Sequence, residues 1–450
     1  MQAIINGRLV LSDKVLDGCA LLFNKKIIGI VSRETLDRAW QNEKSWQGEP
    51  LGLVDAEGAY VSPGFINLHI HGCAGADVMD AREDTLSVMS DFLVKTGVTS
   101  FLPTTMTCEF SLINKALEQI RRHMTVMVRR RDEKHEPPLT SVNKSNISPG
   151  EVKGACSETK DAAQCVIDGI PKQKSSVQTK LPGAKVLGAY LEGPFISSAY
   201  KGAQKEEYIA EADFSLIEDF ADVIKVVVLA PETLRRQPEK IAEFMAGCAE
   251  NKIIVSLGHS AADYDEAVQA IKAGASHVTH LCNAMTGLHH RLPGLVGAAL
   301  DTDATCELIA DDLHVHPAVQ RIIYRTKGAA ELELITDSMR ACGLPEGISE
   351  LGGQTVYVKD GEARLADGTI AGSVVTMNRA MANFRKNTGA SIPEVVRMVT
   401  ENQAQELGLF EKIGSLCPGA AADITIFNED FTVLYTFVDG CEVYKNSDFR

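Results

Sequence analysis

The sequence predicts a (β/α)8 barrel of the TIM type beside a small β-sandwich built from both chain ends. Three observations predict it. Eight short apolar, β-rich segments recur through the middle of the chain, most followed by a helical stretch. Histidines and carboxylates stand at the ends of several of these segments, where barrels of this class place their chemistry. Further strand-like segments cluster at the two termini. An open, doubly wound sheet is the alternative at this point.

The elements follow in order. Residues 3–10 and 21–30 read as strands joined by tight turns, and residues 422–427 and 433–440 read the same way. The simplest packing joins them in one small β domain. The barrel strands are expected at 64–71, 99–105, 186–192, 224–231, 253–259, 277–281, 306–310 and 332–337. Between them lie amphipathic stretches such as 263–274, with an acidic start and a glycine stop. The expected division is 1–60 for the first part of the small domain, 61–400 for the barrel, and 401–450 for a helix and the rest of the small domain. From about 131 to 183 the chain is rich in Lys, Ser, Pro and Glu without a clear period, and it reads as an inserted disordered loop.

Composition excludes several classes. The formal charge of −15 argues against nucleic acid, because phosphate binding takes clustered Lys and Arg. No apolar stretch is long enough to span a bilayer, and the first residues lack a secretory layout, so the expected location is cytoplasmic with no membrane partner. The 11 cysteines form no CxxC pair, which favours reduced, mostly buried thiols. Gly-x-Ser-x-Gly is absent, which counts against a serine hydrolase.

The candidate site begins with His69-Ile-His71. Side chains two apart on a strand point the same way, so both imidazoles can reach one point, and imidazole suits zinc or iron. Glu192, His259, His280 and Asp337 end the third, fifth, sixth and eighth strands, and His314 lies just past the seventh. Each alone has a bland reading as a core histidine or a helix cap. Seven such groups on one face define a metal-dependent active site.

The order His69-x-His71, Leu191-Glu-Gly-Pro194, Gly258-His-Ser260, Thr279-His-Leu-x-Asn-Ala-Met285 and Leu334-Ile-Thr-Asp337 resembles the amidohydrolase superfamily, and within it the N-acetylglucosamine-6-phosphate deacetylase family. The likeness extends to Lys201-Gly-Ala203, Arg291-x-Pro-Gly294, Ile309-Ala-Asp311 and Gly368-Thr-Ile-Ala-Gly-Ser373, and covers almost the whole chain apart from the insertion. It implies hydrolysis of the acetamide of N-acetyl-D-glucosamine 6-phosphate to D-glucosamine 6-phosphate and acetate, in amino-sugar catabolism. The alternatives are the galactosamine epimer, a related amide, or an inactive scaffold. It implies that Glu192, His259 and His280 hold one metal. Members that keep both first-strand histidines bind two, so a second ion, Zn2+ or Fe2+ like the first, is expected at His69 and His71 with Glu192 bridging.

The resemblance further assigns Asp337 as proton carrier, taking a proton from the attacking water and delivering it to the departing amine. His314, Asn283 and Ala284 are implied to meet the substrate, and Arg291 its phosphate. Ala203, Ile370, Ala371 and Gly372 are implied to line the sugar pocket, and the assembly to be a homodimer. Members that hydrolyse cyclic amides carry a Lys at the end of strand four; here that end is Leu229-Ala-Pro231, and Lys225 lies at the other end. Two positions depart from the family pattern. Gln204 stands where His is common and is expected to bear on the phosphate end, and Asp312 stands where Gly is usual. Both are expected to lie clear of the metal shell.

Overall fold

Parallel strands covered on both faces must be apolar along their length, and the middle of the chain supplies such segments. The computed structural model describes residues 1–133, 183–235 and 237–448. Eight strands form its centre: β1 (Phe65–Ile70), β2 (Val98–Thr105), β3 (Ala189–Leu191), β4 (Ile224–Leu229), β5 (Ile254–Leu257), β6 (His277–Val278), β7 (Thr305–Ile309) and β8 (Leu332–Ile335). Every residue of β1 and β2 is buried. All eight expected strands form, and a short extra piece, Lys185–Val186, pairs with β2 ahead of β3.

Neighbours pair in parallel from β1 through β8 in chain order, which removes the doubly wound alternative. The seam between β8 and β1 closes only at its C-terminal end. There the Asp337 amide donates to the His69 carbonyl at 2.9 Å and the His71 amide to the Ser338 carbonyl at 2.9 Å. The barrel is thus nearly closed, and its closing bonds run through three residues of the candidate site.

A chain of polar groups crosses the inside of the barrel among apolar neighbours such as Val226, Val228 and Ile309. Tyr190 on β3 donates to Thr279, past β6, at 2.7 Å, and Thr279 donates to Glu307 on β7 at 2.8 Å. Side chains of such distant strands meet only across the interior. Helices cover the outside. The stretch expected at 263–274 forms a helix at Tyr264–Lys272, capped by reciprocal bonds between Asp263 and Glu266.

The termini build two sheets. One places Ile27–Ser32, Cys19–Phe23, Gln2–Ile5 and Gly52–Asp55 side by side; the other holds six strands, including Tyr60–Pro63, Ile424–Phe427 and Val433–Val438. Ile4, Leu21, Phe23, Val61, Ile424 and Phe437 fill the space between them as a separate core, with Phe23 edge-on to Phe437 at 5.5 Å. Tyr60–Pro63 leads directly into β1, so the sandwich is anchored to the barrel at the strand that carries the histidine pair.

Among the elements not anticipated are the helix Arg33–Glu43 and a three-stranded antiparallel sheet of Gly347–Leu351, Gln354–Lys359 and Glu362–Leu365. The insertion expected at 131–183 lies outside the described residues, save that residues 131–133 end the helix Phe110–Glu133 and that Gly183 and Ala184 lead into Lys185–Val186.

Candidate metal centre and active site

Strand ends bring six ligand-type side chains to one buried place. His69, His71 and Asp337 form one set and Glu192, His259 and His280 another, the ligand atoms of each lying within 4.8 Å of one another. Glu192 joins the two. Its Oε1 is 3.1 Å from His259 Nε2 and 3.0 Å from His280 Nε2, while its Oε2 is 3.1 Å from His71 Nε2. Asp337 Oδ1 stands 3.1 Å from His71 Nε2 and 3.6 Å from His69 Nε2.

The backbone bends sharply to achieve this. His259, His280 and Asp337 sit at φ 47°, 28° and 45°, in the left-handed region that non-glycine residues avoid. Gly202 (φ 56°) passes close to the same ring: a Cβ there would lie 3.4 Å from His259 Cε1.

Second contacts orient the rings. His71 Nδ1 donates to the Thr104 carbonyl at 3.2 Å, His259 Nδ1 to the Tyr200 carbonyl at 2.9 Å, and His69 Nδ1 to the Glu307 carboxylate at 3.0 Å. Those acceptors place the proton on Nδ1 and leave Nε2 with a lone pair toward the centre. Glu307, fully buried, also accepts from the His280 amide at 3.0 Å.

A divalent cation fits this donor set. His259 Nε2 and His280 Nε2 lie 3.1 Å apart, too close for two facing lone pairs without a proton or cation between them. His69 Nε2 and Asp337 Oδ1 are buried without a hydrogen bond of their own among the described residues. Burial would depress His71, but the Glu192 and Asp337 carboxylates outweigh it and lift the ring to about 10. Burial would raise Glu192, yet His69 and His71, with hydrogen bonds from His259 and His280, hold it well below the usual carboxylate range. A site that draws protons onto its imidazoles is electrostatically built for positive charge.

The centre forms the floor of a cavity of about 270 Å³. His71, Glu192, His259, His280, Asp337, His314, Asn283, Ala284, Ala203, Ile370 and Gly372 line it. His314 is fixed by its Nδ1 donating to Asp311 at 2.6 Å. His69 lies behind the floor, fully buried, and two residues expected to meet the substrate lie elsewhere. Ala371 is fully buried beside Met106 and Met339, because the chain alternates direction around it and turns its methyl into the core. Arg291 is exposed on the segment after β6 and does not line the cavity.

The expectation that Gln204 stays clear of the metal shell is overturned: its amide donates to Glu192 Oε2 at 2.7 Å. The turn that closes with the Gln204 amide on the Lys201 carbonyl swings the side chain inward. Asp312, by contrast, accepts from Gln320 at 3.1 Å and touches none of the six ligand-type groups. Glu307 was also missed, although a carboxylate inside the apolar run Cys306-Glu-Leu-Ile-Ala310 was a legible signal.

This fold and centre define a metal-dependent hydrolase of the barrel class. The chain belongs to the amidohydrolase family, whose model matches residues 60–443. It is 38% identical over 383 residues to an N-acetylglucosamine-6-phosphate deacetylase of Bacillus subtilis (strain 168), covering 84% of this chain and 83% of that protein. It is 32% identical over 396 residues to an N-acetylgalactosamine-6-phosphate deacetylase of Escherichia coli O157:H7, covering 87% and 89%. A crystal structure of N-acetylglucosamine-6-phosphate deacetylase from Pasteurella multocida matches 99% of this chain and all of that one, with a TM-score of 0.78 and 31% identity.

Proposed function

We propose that this chain deacetylates N-acetyl-D-glucosamine 6-phosphate, releasing D-glucosamine 6-phosphate and acetate. The observation that carries the reading is two ligand sets joined by Glu192 on a cavity floor, with Asp337 beside them. The names of the relatives supply the substrate class. The cavity is near the lower end of small-molecule sites, about 300–1,000 Å³, which suits a single sugar.

His69, His71 and Glu192 would hold one ion, and Glu192, His259 and His280 another. Nitrogen and carboxylate donors of this kind suit Zn2+ or Fe2+. When bound, such ions polarise an amide carbonyl and lower the pKa of water. Asp337 is the proton carrier: burial would raise its carboxyl, but His69 and His71 outweigh it and keep it ionised, ready to accept from water and then donate to the departing amine. His314, with Nδ1 committed to Asp311, offers Nε2 to the substrate, and Asn283 and Ala284 meet it from the chain after β6. Met106 and Leu351 limit water at the wall.

Among the described residues the cavity wall carries no lysine or arginine. Arg291 lies instead between Leu288 and Leu292, which are 60% and 74% exposed. Bare leucines around a cation suit an interface. In this reading the protein is a homodimer, and Arg291 of one protomer reaches the phosphate in its partner's cavity. The nine described cysteines are free thiols, four of them buried, which supports a reducing, cytoplasmic setting.

The test is acetate release by metal-loaded enzyme across N-acetylated glucosamine and galactosamine, each with and without a 6-phosphate. The glucosamine 6-phosphate should give the highest kcat/KM. A preference for the galactosamine epimer reassigns the sugar, and no acetate from any member of the panel overturns the reading.

A further inference from the structure

Gln204 sits in the cavity wall, 3% exposed, and belongs to neither ligand set. Its Oε1 accepts from the Thr107 amide at 2.8 Å, and its Nε2 donates to Glu192 Oε2 at 2.7 Å. A backbone N–H can only donate, so it dictates which end of the side-chain amide is oxygen. Flipping the amide would face oxygen against a carboxylate and N–H against N–H. The donor is therefore aimed at Glu192 in one orientation.

Glu192 needs such a fixture if it is to bridge. The terminal torsion of a glutamate is broad, and a free carboxylate could turn both oxygens toward His259 and His280. Oε1 already faces those rings and also stands 3.5 Å from His69 Nε2, and Oε2 faces His71. The amide of Gln204 holds Oε2 on the His71 side. Thr107, just past β2, ties this hold to the barrel wall rather than to a mobile tip.

We propose that Gln204 is a positioning residue that splits the Glu192 carboxylate across the two ligand sets and so sets up the site at His69 and His71 for a second divalent ion. The inference rests on the two-ion reading above. It also gives a physical reason for glutamine where the family commonly has histidine: one planar amide accepts from Thr107 and donates to Glu192 at once.

The experiment is titration of metal-depleted protein with Co2+, followed by bound metal after gel filtration and competition with a chelator. Wild type, Gln204→Ala and Gln204→Met are compared. Methionine keeps the length of the side chain and removes both hydrogen bonds, and circular dichroism of each metal-free variant confirms folding. Wild type should take two ions. Both variants should keep the tight ion and weaken the other by about 10- to 100-fold, the usual cost of losing an outer contact to a metal ligand. Two ions in wild type with unchanged affinities in either folded variant overturns the role of Gln204 alone. One ion in wild type overturns the two-ion reading and this inference together.

Discussion

Asp337 faces His71 Nε2 at 3.1 Å and His69 Nε2 at 3.6 Å, and it lines the cavity that a substrate would enter. It can therefore exchange a proton with a group on the cavity side while staying fixed from behind. Asp337→Asn keeps an oxygen in the same place and removes the proton acceptor. Turnover should fall by about 10²- to 10⁴-fold or more, because one group serves both proton steps, while bound metal measured by mass spectrometry stays unchanged. Near-normal turnover would place the proton work elsewhere. The six ligand-type residues were legible because each ends a strand and carries a metal-binding or acidic group. Gln204 was placed away from the metal shell and Glu307 was not read, for different reasons. Gln204 acts through a turn whose inward direction only the fold reveals. Glu307 reaches His69 from β7, two places away around the closed barrel but 238 residues further along the chain.

Helices and hairpins follow local rules that vary in how openly the chain states them. The helix Tyr264–Lys272 announces itself with Asp263, whose side chain accepts from the Glu266 amide at 2.9 Å, while Glu266 accepts from the Asp263 amide at 3.0 Å. Asp263→Ala should lower stability by about 0.5–2 kcal/mol, read as an earlier urea midpoint. Turnover should hold, since the helix lies off the cavity. An unchanged midpoint would mean that the ion pair of Arg235 with Glu266 alone secures this end. The sheet of Gly347–Leu365 was equally legible yet missed. Gly352-Gly353 (φ 56° and 75°) and Asp360-Gly361 (φ 53° and 78°) are two-residue hairpin turns between alternating strands. The sheet matters to the site, because Leu351 lines the cavity and Gln354 donates to the Ala203 carbonyl at 2.6 Å.

Two consequences belong to the whole molecule. If Arg291 serves the partner's cavity, Arg291→Ala should cut kcat/KM for the 6-phosphorylated amide by about 10- to 150-fold, from a charge-assisted bond of about 1.5–3 kcal/mol, and leave the unphosphorylated sugar unaffected. Mixing that variant with Asp337→Asn and allowing subunits to exchange should restore activity to about a quarter of wild type, because half the dimers are mixed and each holds one intact site. No recovery on mixing would place Arg291 in its own cavity or in none. The second consequence lies inside the barrel, where Glu333 is fully buried with both carboxylate oxygens lacking a hydrogen bond among the described residues. Around it stand His277, 3.9 Å away, and the carboxylates of Glu307 and Glu406. Burial pushes Glu333 up to about 8, beyond what His277 can offset, with Glu406 and Glu307 adding to the rise. The folded chain then holds a proton that the unfolded chain releases above about 4.5, so the contribution of Glu333 to stability falls as pH rises from about 4.5 to about 8 and levels off beyond. Glu333→Gln carries no such proton. Its thermal midpoint should match wild type near pH 5 and exceed it progressively toward pH 8, in metal-loaded protein at each pH. A constant difference across that range would mean that Glu333 stays charged and that His277 alone balances it.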